Sequence, residues 1–447
     1  MSAATPARRC ALSVLSAAAR DGSYVRDHLD AVQRGEGACP AMEPREAAFC
    51  LRLSLGVTAT SGWLDEAINA HLRRPRDVSS RVRQALRIAA FELIYLGAPP
   101  EVAVSQGVEL VRRQARAAAG LANAVLHRVA EGRGPFLSAL DAAPEARAYV
   151  AAARRSGLPL WLVRELRGSV GEGADGILAC ALEPAPAAVC LNPLRSASGL
   201  PGLVTEHTQG ALPEGVALAC DLPALIRSGA LAAGDAVVSD LHAQEVARSA
   251  IAPGRCLEIG AGRGTKTFVM AATAARHRIA RTHVALDLSE GKCRENRRRL
   301  ARAGLDGGVT VIAGDGTDLA AAFEPLNAEA GERALFDRVL VDAPCSGTGT
   351  MRRHPEIPWR LDPADVGADG LPALQGRLIA EAASRVAPGG RLLYATCSVL
   401  RTENDEVVDG FLAEARGAGF EEVRRRQWVP APGEFDGHFL AELVRRG

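Results

Sequence analysis

Apolar positions recur at helical spacing through the first third of the chain. Ala47-Ala48-Phe49 and Leu51 to Leu55 form one apolar run. From Arg81 to Ile94 apolar groups fall on one face and arginines on the other, which predicts an amphipathic helix. Pro99-Pro100 breaks the pattern, Val102 to Val111 resumes it, and Leu121 to Leu126 begins a further helix after Gly120. No segment up to residue 150 alternates with a period of two, so residues 1–150 are expected to form a helical bundle. Residues 151–235 are mixed. A helix about Trp161–Leu166 leads to a linker at Glu183-Pro184-Ala185-Pro186, and a strand follows from Ala188 to Pro193, giving a small α/β insert. Over residues 236–447 strand-like runs alternate with helical segments, which predicts a mostly parallel sheet and an α/β fold class.

Composition narrows the classes. The chain has 447 residues, enough for two or three domains, with 48% hydrophobic and 23% charged residues. No apolar run approaches the roughly 20 residues that span a bilayer. The N-terminal stretch to Arg20 lacks a continuous apolar core and a cleavage site, so it reads as an amphipathic helix, and the cytosol is the expected location. Ten cysteines occur singly and no C-x-x-C pair is present, so no metal site or redox dithiol is expected and most thiols should be reduced and buried. The net charge of +1 makes no global case for nucleic acid. Arginines 81, 83, 87, 112, 113, 116 and 128 could still form an RNA-facing surface, or a solvated helix face. The only lysines are Lys266 and Lys292.

The candidate chemistry lies at strand ends. Cys256 to Ile259 reads as a strand running into Gly260-Ala261-Gly262-Arg263-Gly264-Thr265-Lys266 and then a helix. Glycines permit a tight turn and close approach, and a helix start offers free N–H groups. A second strand ends at Asp287, placed for ribose hydroxyls, and a third ends at Gly314-Asp315-Gly316, where Asp315 can accept from an adenine amino group. Loop, acid, acid at successive strand ends is the order expected for S-adenosylmethionine, and nicotinamide cofactors share the first two signals. Downstream, Val339-Leu340-Val341 empties into Asp342-Ala343-Pro344-Cys345-Ser346-Gly347, and Leu392 to Ala395 into Thr396-Cys397-Ser398. Two cysteines at neighbouring strand tips beside a cofactor loop suit covalent attack on a pyrimidine and methylation, with no hydride-transfer site nearby.

The segments LEIGAGRGTKT (257–267), DAPCSGTGTMRRHPEIPWR (342–360) and LLYATCSVLRTENDEVV (392–408) resemble the bacterial RNA cytosine carbon-5 methyltransferases. RIAAFELIYLGAPPEVAVSQGVELVRR and GLANAVLHRV resemble the NusB-like RNA-binding domain, a combination similar to the small-subunit ribosomal RNA methyltransferase B (Sun/Fmu) group. The resemblance implies a NusB-like RNA-binding bundle (1–150), an RNA-binding insert (151–235) and a Rossmann-like class I S-adenosylmethionine methyltransferase domain (236–447). It further implies Cys397 as nucleophile, Cys345 as the residue that assists release, and Asp342 acting at nitrogen-3 of the base and on the cofactor. Lys266 and the loop from Gly260 would hold that cofactor together with Asp287 and Asp315. The expected partner is 16S ribosomal RNA, free or in a small-subunit particle, and a monomer is expected.

The chemistry agrees with the resemblance. Cytosine carbon-5 is a poor nucleophile until a thiolate adds to carbon-6. A free cysteine, with a pKa of about 8.5, is only a few per cent thiolate at neutral pH, and full ionisation costs about 2 kcal/mol. A protonated Asp342 would stabilise charge building in the ring. The target base must be unpaired or flipped, and Arg352-Arg353-His354-Pro355 could hold its backbone. The chain departs from the family pattern Cys-Ala-Ala-Pro-Gly-Gly-Lys-Thr, carrying Gly260, Gly262, Arg263 and Thr265 in place of Cys, Ala, Pro and the second Gly. Cys190-Leu191-Asn192 stands for Arg-Val-Asn, which removes a basic group from an expected RNA-facing strand. Alternatives are a methyltransferase of another RNA such as tRNA, a non-catalytic RNA-binding assembly factor, and a DNA cytosine methyltransferase. The last would need only the Pro-Cys cysteine and would leave the helical domain unexplained.

Overall fold

The computed structural model describes residues 3–33, 39, 42–195, 200, 204–205, 212–324 and 334–447. It divides into two compact units. One comprises residues 1–168, 177–183 and 351–361, and the other 169–176, 184–350 and 362–447.

The first unit is helical, as the apolar spacing predicts. Its main helices are Pro6–Asp21, Val25–Gln33, Pro44–Ala59, Ser61–Asn69, Ser80–Ile94, Pro100–Gln114, Ala119–Leu137 and Arg147–Ser156. Ser80–Ile94 is the central helix, buried from Ile88 through Ile94. Its Glu92 is 2% exposed and takes a two-pronged hydrogen bond from Arg8 at 2.8 and 2.5 Å, so a buried charge is paired as burial requires. Several of the arginines that could face RNA or solvent are committed locally. Arg83 and Arg87 pair with Asp65, and Arg112 and Arg113 pair with Glu109. Arg81, Arg116 and Arg128 are exposed.

Two features of this unit were not visible in residue spacing. Cys10 and Cys39 form a disulfide across 29 residues, while the other eight cysteines are in no disulfide. Segment 351–361 also belongs here. Val25 N donates to Glu356 Oε1 (2.7 Å), Arg26 Nε to the Arg353 carbonyl (2.6 Å) and Trp359 Nε1 to the Ala59 carbonyl (2.7 Å). Trp359 meets Trp63 edge-on at 6.2 Å. Arg352 is therefore buried rather than held out on an open loop.

The second unit carries two sheets. The smaller has strands β1 (Ala188–Leu191), β2 (Val204–Thr205), β3 (Val216–Ala219) and β4 (Ala236–Val238), antiparallel in the order β2-β3-β1-β4. Cys190 in β1 is 1% exposed and packs in the apolar core. The expectation that this position faces RNA is thus corrected: Ala188, Val189 and Cys190 are all buried, so both faces of this strand are covered. The larger sheet has seven strands: β5 (Gly254–Ile259), β6 (Arg281–Asp287), β7 (Val309–Ala313), β8 (Phe336–Asp342), β9 (Val386–Thr396), β10 (Phe420–Trp428) and β11 (His438–Arg445). Their order is β10-β11-β9-β8-β5-β6-β7. The pairs from β9 to β7 are parallel, and β11 and β10 close one side antiparallel. The central strands are apolar on both faces, with Leu257, Val339 and Val341 in one core and Leu340 and Leu393 in another, as a helix-covered parallel sheet demands. This is a Rossmann-like sheet. Because β5 continues to β6 on one side and pairs with β8 on the other, the chain reverses direction across the sheet there. Crevices at such switch points, beyond the carboxyl ends of strands, receive ligands. Among the described residues, no helix is long and apolar enough to cross a membrane.

Candidate active site

Parallel strands end on one edge, so β5, β6, β7, β8 and β9 bring the predicted residues to a common rim. Asp342 ends β8 in register with Ala395 of β9, and Ala343 N donates to the Ala395 carbonyl at 2.9 Å. The loops after these strands then run together. Gly349 N donates to the Cys397 carbonyl and Gly437 N to the Gly349 carbonyl, each at 2.9 Å. The result sets the sulfurs of Cys345 and Cys397 3.2 Å apart. Both cysteines keep partial exposure while Ser346 and Ser398, the residues that follow them, are buried. Substrate can therefore reach the sulfurs, while the backbone that carries them is fixed.

The two thiols are not equivalent. The contact with the Cys345 thiol lowers the pKa of Cys397; burial and the charges of Asp342 and Glu403 oppose this, and the Lys266 ammonium adds to it. The same contact raises Cys345, and burial raises it further. The asymmetry is that of a pair sharing one hydrogen bond, with Cys345 as donor to Cys397, and the Lys266 charge favours the same sense at Cys397. Cys397 is the better thiolate, and Cys345 remains a thiol.

Lys266 stands at the start of the helix Thr265–His277, and its Nζ lies 2.9 and 2.8 Å from the two carboxylate oxygens of Asp342. Burial alone would lower the lysine; the Asp342 charge and hydrogen bonds hold it above the ordinary value. Burial holds the Asp342 carboxyl above its ordinary value, and the Lys266 charge and hydrogen bonds offset this only in part. The raised value goes with the expected role of Asp342 as a proton holder, and its contact with Lys266 supplies the counter-charge that a buried lysine needs.

The glycine loop lies beside this pair. Gly260 has φ +83°, and a Cβ there would stand 2.2 Å from the Asp342 carbonyl oxygen, so only glycine lets β5 turn against β8. Gly264 has φ +82°, and a Cβ would meet Asn296 Oδ1 at 2.0 Å. The N–H groups of Gly260 and Ala261 donate to the Leu286 carbonyl. Gly262 N donates to Asp287 Oδ2 at 2.9 Å, and Ser289 N to Asp287 Oδ1 at 2.9 Å. Asp287 is thus 8% exposed and held at both oxygens, with lone pairs left for a further donor. Asp315, by contrast, is exposed, and hydrogen bonds from the Thr317 backbone and hydroxyl lower its pKa. The departures from the family loop have local partners. Arg263 pairs with Glu295 at 3.1 Å, and Thr265 Oγ1 accepts from Arg299 at 2.8 Å, side-chain ties where a proline and a glycine are the usual residues.

These groups fit a nucleoside bearing a cation. Open space lies beside Gly262, whose added Cβ would find its nearest neighbour 3.9 Å away. Asp287, bonded to Gly262 N, borders it, Asp315 follows the end of the neighbouring strand, and the Lys266–Asp342 pair lies in the same loop and strand-end cluster. Among the described residues, no group of three or more His, Cys, Asp or Glu side chains is placed to hold a metal ion.

Sequence reasoning missed two buried networks. Beneath the glycine loop, Thr267 Oγ1 donates to Glu258 Oε2 (2.8 Å), Asn296 Nδ2 to Thr267 Oγ1 (3.2 Å), and His283 Nε2 lies 3.1 Å from Glu258. Beneath the cysteines lie Gln375, Glu403 and Asn404, all fully buried. The one available signal was the serine that follows each cysteine.

Comparison with known proteins adds the remaining observations. Residues 252–444 match the family described as 16S rRNA methyltransferase RsmB/F, and residues 5–131 match the NusB family. A ribosomal RNA small subunit methyltransferase B of Xanthomonas campestris pv. campestris is 30% identical over 99% of this chain and 98% of its own length. One of Xylella fastidiosa is 32% identical over 91% of this chain and 94% of its own. Among solved structures, that of PH0851 superposes over 99% of both chains with a TM-score of 0.76 at 18% identity, a likeness of fold.

Proposed function

Since the chain belongs to the 16S rRNA methyltransferase RsmB/F family, of the small subunit methyltransferase B kind, we propose that it methylates carbon-5 of a cytosine in 16S ribosomal RNA through a covalent adduct on Cys397. The observation that carries this reading is the pair of sulfurs 3.2 Å apart beside Lys266–Asp342. S-adenosylmethionine, held by the loop Gly260–Lys266 with Asp287 and Asp315, supplies the methyl group that carbon-5 takes up.

The chain's own residues do the rest. Cys397 Sγ, favoured as thiolate by Cys345 and Lys266, forms a bond to carbon-6, and the ring's electron pair moves toward carbon-5 and nitrogen-3. The Lys266–Asp342 pair holds a proton beside the place where that charge gathers. After methylation the carbon-5 proton passes to a base, its bonding electrons re-form the ring double bond, and the carbon–sulfur bond breaks so that Cys397 leaves as thiolate. Cys345, 3.2 Å from Cys397 Sγ, assists by taking up that proton as thiolate once the adduct has removed the Cys397 charge beside it. Substrate enters unpaired or flipped, since a stacked base exposes neither carbon to these side chains.

In the same reading the NusB-like helices (1–150) and the insert (151–235) bind RNA, with Arg81, Arg116 and Arg128 as exposed phosphate contacts. The enzyme works in the cytoplasm. The test is incubation of the full chain with labelled S-adenosylmethionine and unmethylated 16S RNA, then bisulfite mapping. One protected cytosine is the expected outcome. Label at another atom or base, or in tRNA alone, would overturn the assignment.

A further inference from the structure

Each cysteine is followed by a buried serine, and both serines reach the same carboxylate. Glu403 is fully buried, and among the described residues it has no ion-pair partner. Its Oε1 accepts from Ser346 N at 2.8 Å and from Gln375 Nε2 at 3.0 Å. Its Oε2 accepts from the hydroxyls of Ser346 and Ser398, each at 2.5 Å. Gln375 also donates to the Pro344 carbonyl at 2.8 Å, so the residues on either side of Cys345 are tied to the Glu403 centre. On the other loop, Asn404 takes Thr396 Oγ1 at 2.6 Å and donates to the Ser398 carbonyl at 2.9 Å, which ties both neighbours of Cys397. The Tyr394 hydroxyl in turn donates to the Glu403 carbonyl at 2.7 Å.

A carboxylate buried without a cation is costly and persists only where several donors compensate it. Here the side-chain donors come from the two cysteine loops and from Gln375, which also holds one of those loops. We propose that Glu403 is a positioning residue, a single carboxylate that holds the loops of Cys345 and Cys397 at their working distance. It touches neither sulfur and acts through Ser346 and Ser398. Its charge has a second consequence: it opposes ionisation of both thiols, against the Cys345 contact and the Lys266 charge that favour the thiolate of Cys397. The role in methyl transfer rests on the covalent reading above, whereas the holding of the thiols does not.

The test uses the full chain and two readouts that need no RNA. Diamide takes two electrons and two protons from the thiol pair as the Cys345–Cys397 disulfide forms, so its rate reports their spacing. Iodoacetamide alkylation of Cys397 across pH, followed by peptide mapping, reports ionisation. In Glu403→Ala, disulfide formation should slow by about tenfold or more, and kcat should fall at least as far with KM for S-adenosylmethionine unchanged. Glu403→Gln keeps an acceptor oxygen and offers an amide donor to the serine hydroxyls. It should oxidise at close to the wild-type rate, with the alkylation profile moved down by about one pH unit. If Glu403→Ala is poorly folded by thermal melting, the Gln profile carries the test. An unchanged profile in Glu403→Gln, or wild-type oxidation in a folded Glu403→Ala, overturns the proposal. If both thiol readouts respond as expected but the wild-type chain leaves RNA unmethylated, the clamp stands and the reaction assignment falls.

Discussion

The rim of the large sheet holds two regions built on opposite terms. Around the thiols, Ser346, Thr348, Ser398, Glu403 and Asn404 are buried and bonded to one another, while the two cysteines keep partial exposure. Around the glycine loop, Arg263 and Asp315 are exposed, and Asp287 is the acid held at the loop itself. The thiol site is fixed before any ligand arrives; the cofactor side offers acceptors to a molecule that must enter and leave each cycle. Covalent attack needs reacting atoms placed to a fraction of an ångström, whereas reversible binding needs only complementary groups. Lys266–Asp342 lies between the two regions, with 14% and 24% of the side chains exposed, and belongs to both.

The sharpest break in that comparison is removal of the sulfurs. Cys397→Ala should abolish methyl transfer and leave no adduct, because carbon-5 is then never activated. Cys345→Ala should allow attack and accumulate a protein–RNA adduct that survives denaturing electrophoresis and requires Cys397. The same variant removes the donor that lowers Cys397. Its alkylation profile should therefore move to higher pH, because a raised thiol pKa delays formation of the thiolate. An adduct in Cys397→Ala and none in Cys345→Ala would reverse the roles.

Next in size is the pair that joins the regions. Lys266→Met should leave Asp342 buried without its cation and Cys397 without its nearest positive charge. A loss in kcat of roughly 10²- to 10⁴-fold is expected, the range for a proton-handling group. Cofactor binding should change less, because the Asp287 contacts are untouched. A KM effect alone, with kcat intact, would assign Lys266 wholly to the cofactor side.

How much of this was legible before the fold follows the same division. The strand-tip motifs were readable because each is local: a run of apolar residues, then a turn residue, then the reactive group. The parallel sheet and the helical bundle followed from apolar periodicity, and the helix over Ser80–Ile94 fell where Arg81 to Ile94 placed it. What spacing could not show were contacts between distant segments. Glu403 reaches Ser346 across 57 residues, Lys266 reaches Asp342 across 76, and the Cys10–Cys39 disulfide joins positions with no motif between them. Segment 351–361 is the clearest case. It reads as part of the catalytic motif and lies in the helical unit, held by Val25, Arg26 and Ala59. Deleting the N-terminal helices would remove those partners, so RNA binding there is better probed by Arg81, Arg116 and Arg128 variants in the full chain.

On the cofactor side the larger effect belongs to Asp287. Its oxygens brace Gly262 and Ser289, so Asp287→Ala removes both a ligand acceptor and two ties of the loop. Binding of S-adenosylmethionine should weaken by about 1–3 kcal/mol, near 5- to 150-fold in Kd by calorimetric titration. Turnover at saturating cofactor should hold, since the thiols are braced elsewhere. A fall in kcat without a change in Kd would show that the two regions are not separable.

The smallest effect is expected at Asp315, and it tests how open the cofactor side is. Its carboxylate is solvent-exposed, and Oδ1 already takes the Thr317 amide and hydroxyl, each at 2.8 Å. A hydrogen bond from an adenine amino group would exchange for one with water, which limits the net gain to about 0.5–1.5 kcal/mol. Asp315→Asn keeps an acceptor oxygen and the turn to Thr317, so it should bind the cofactor within about threefold of wild type. Asp315→Ala loses both and should fall roughly tenfold at most. With Asp287 the order of magnitude is then set by burial: the held acid matters more than the exposed one. A loss at Asp315 exceeding that at Asp287 would mean the loop closes over the adenine on binding, and the cofactor side would be as enclosed in the bound enzyme as the thiols already are.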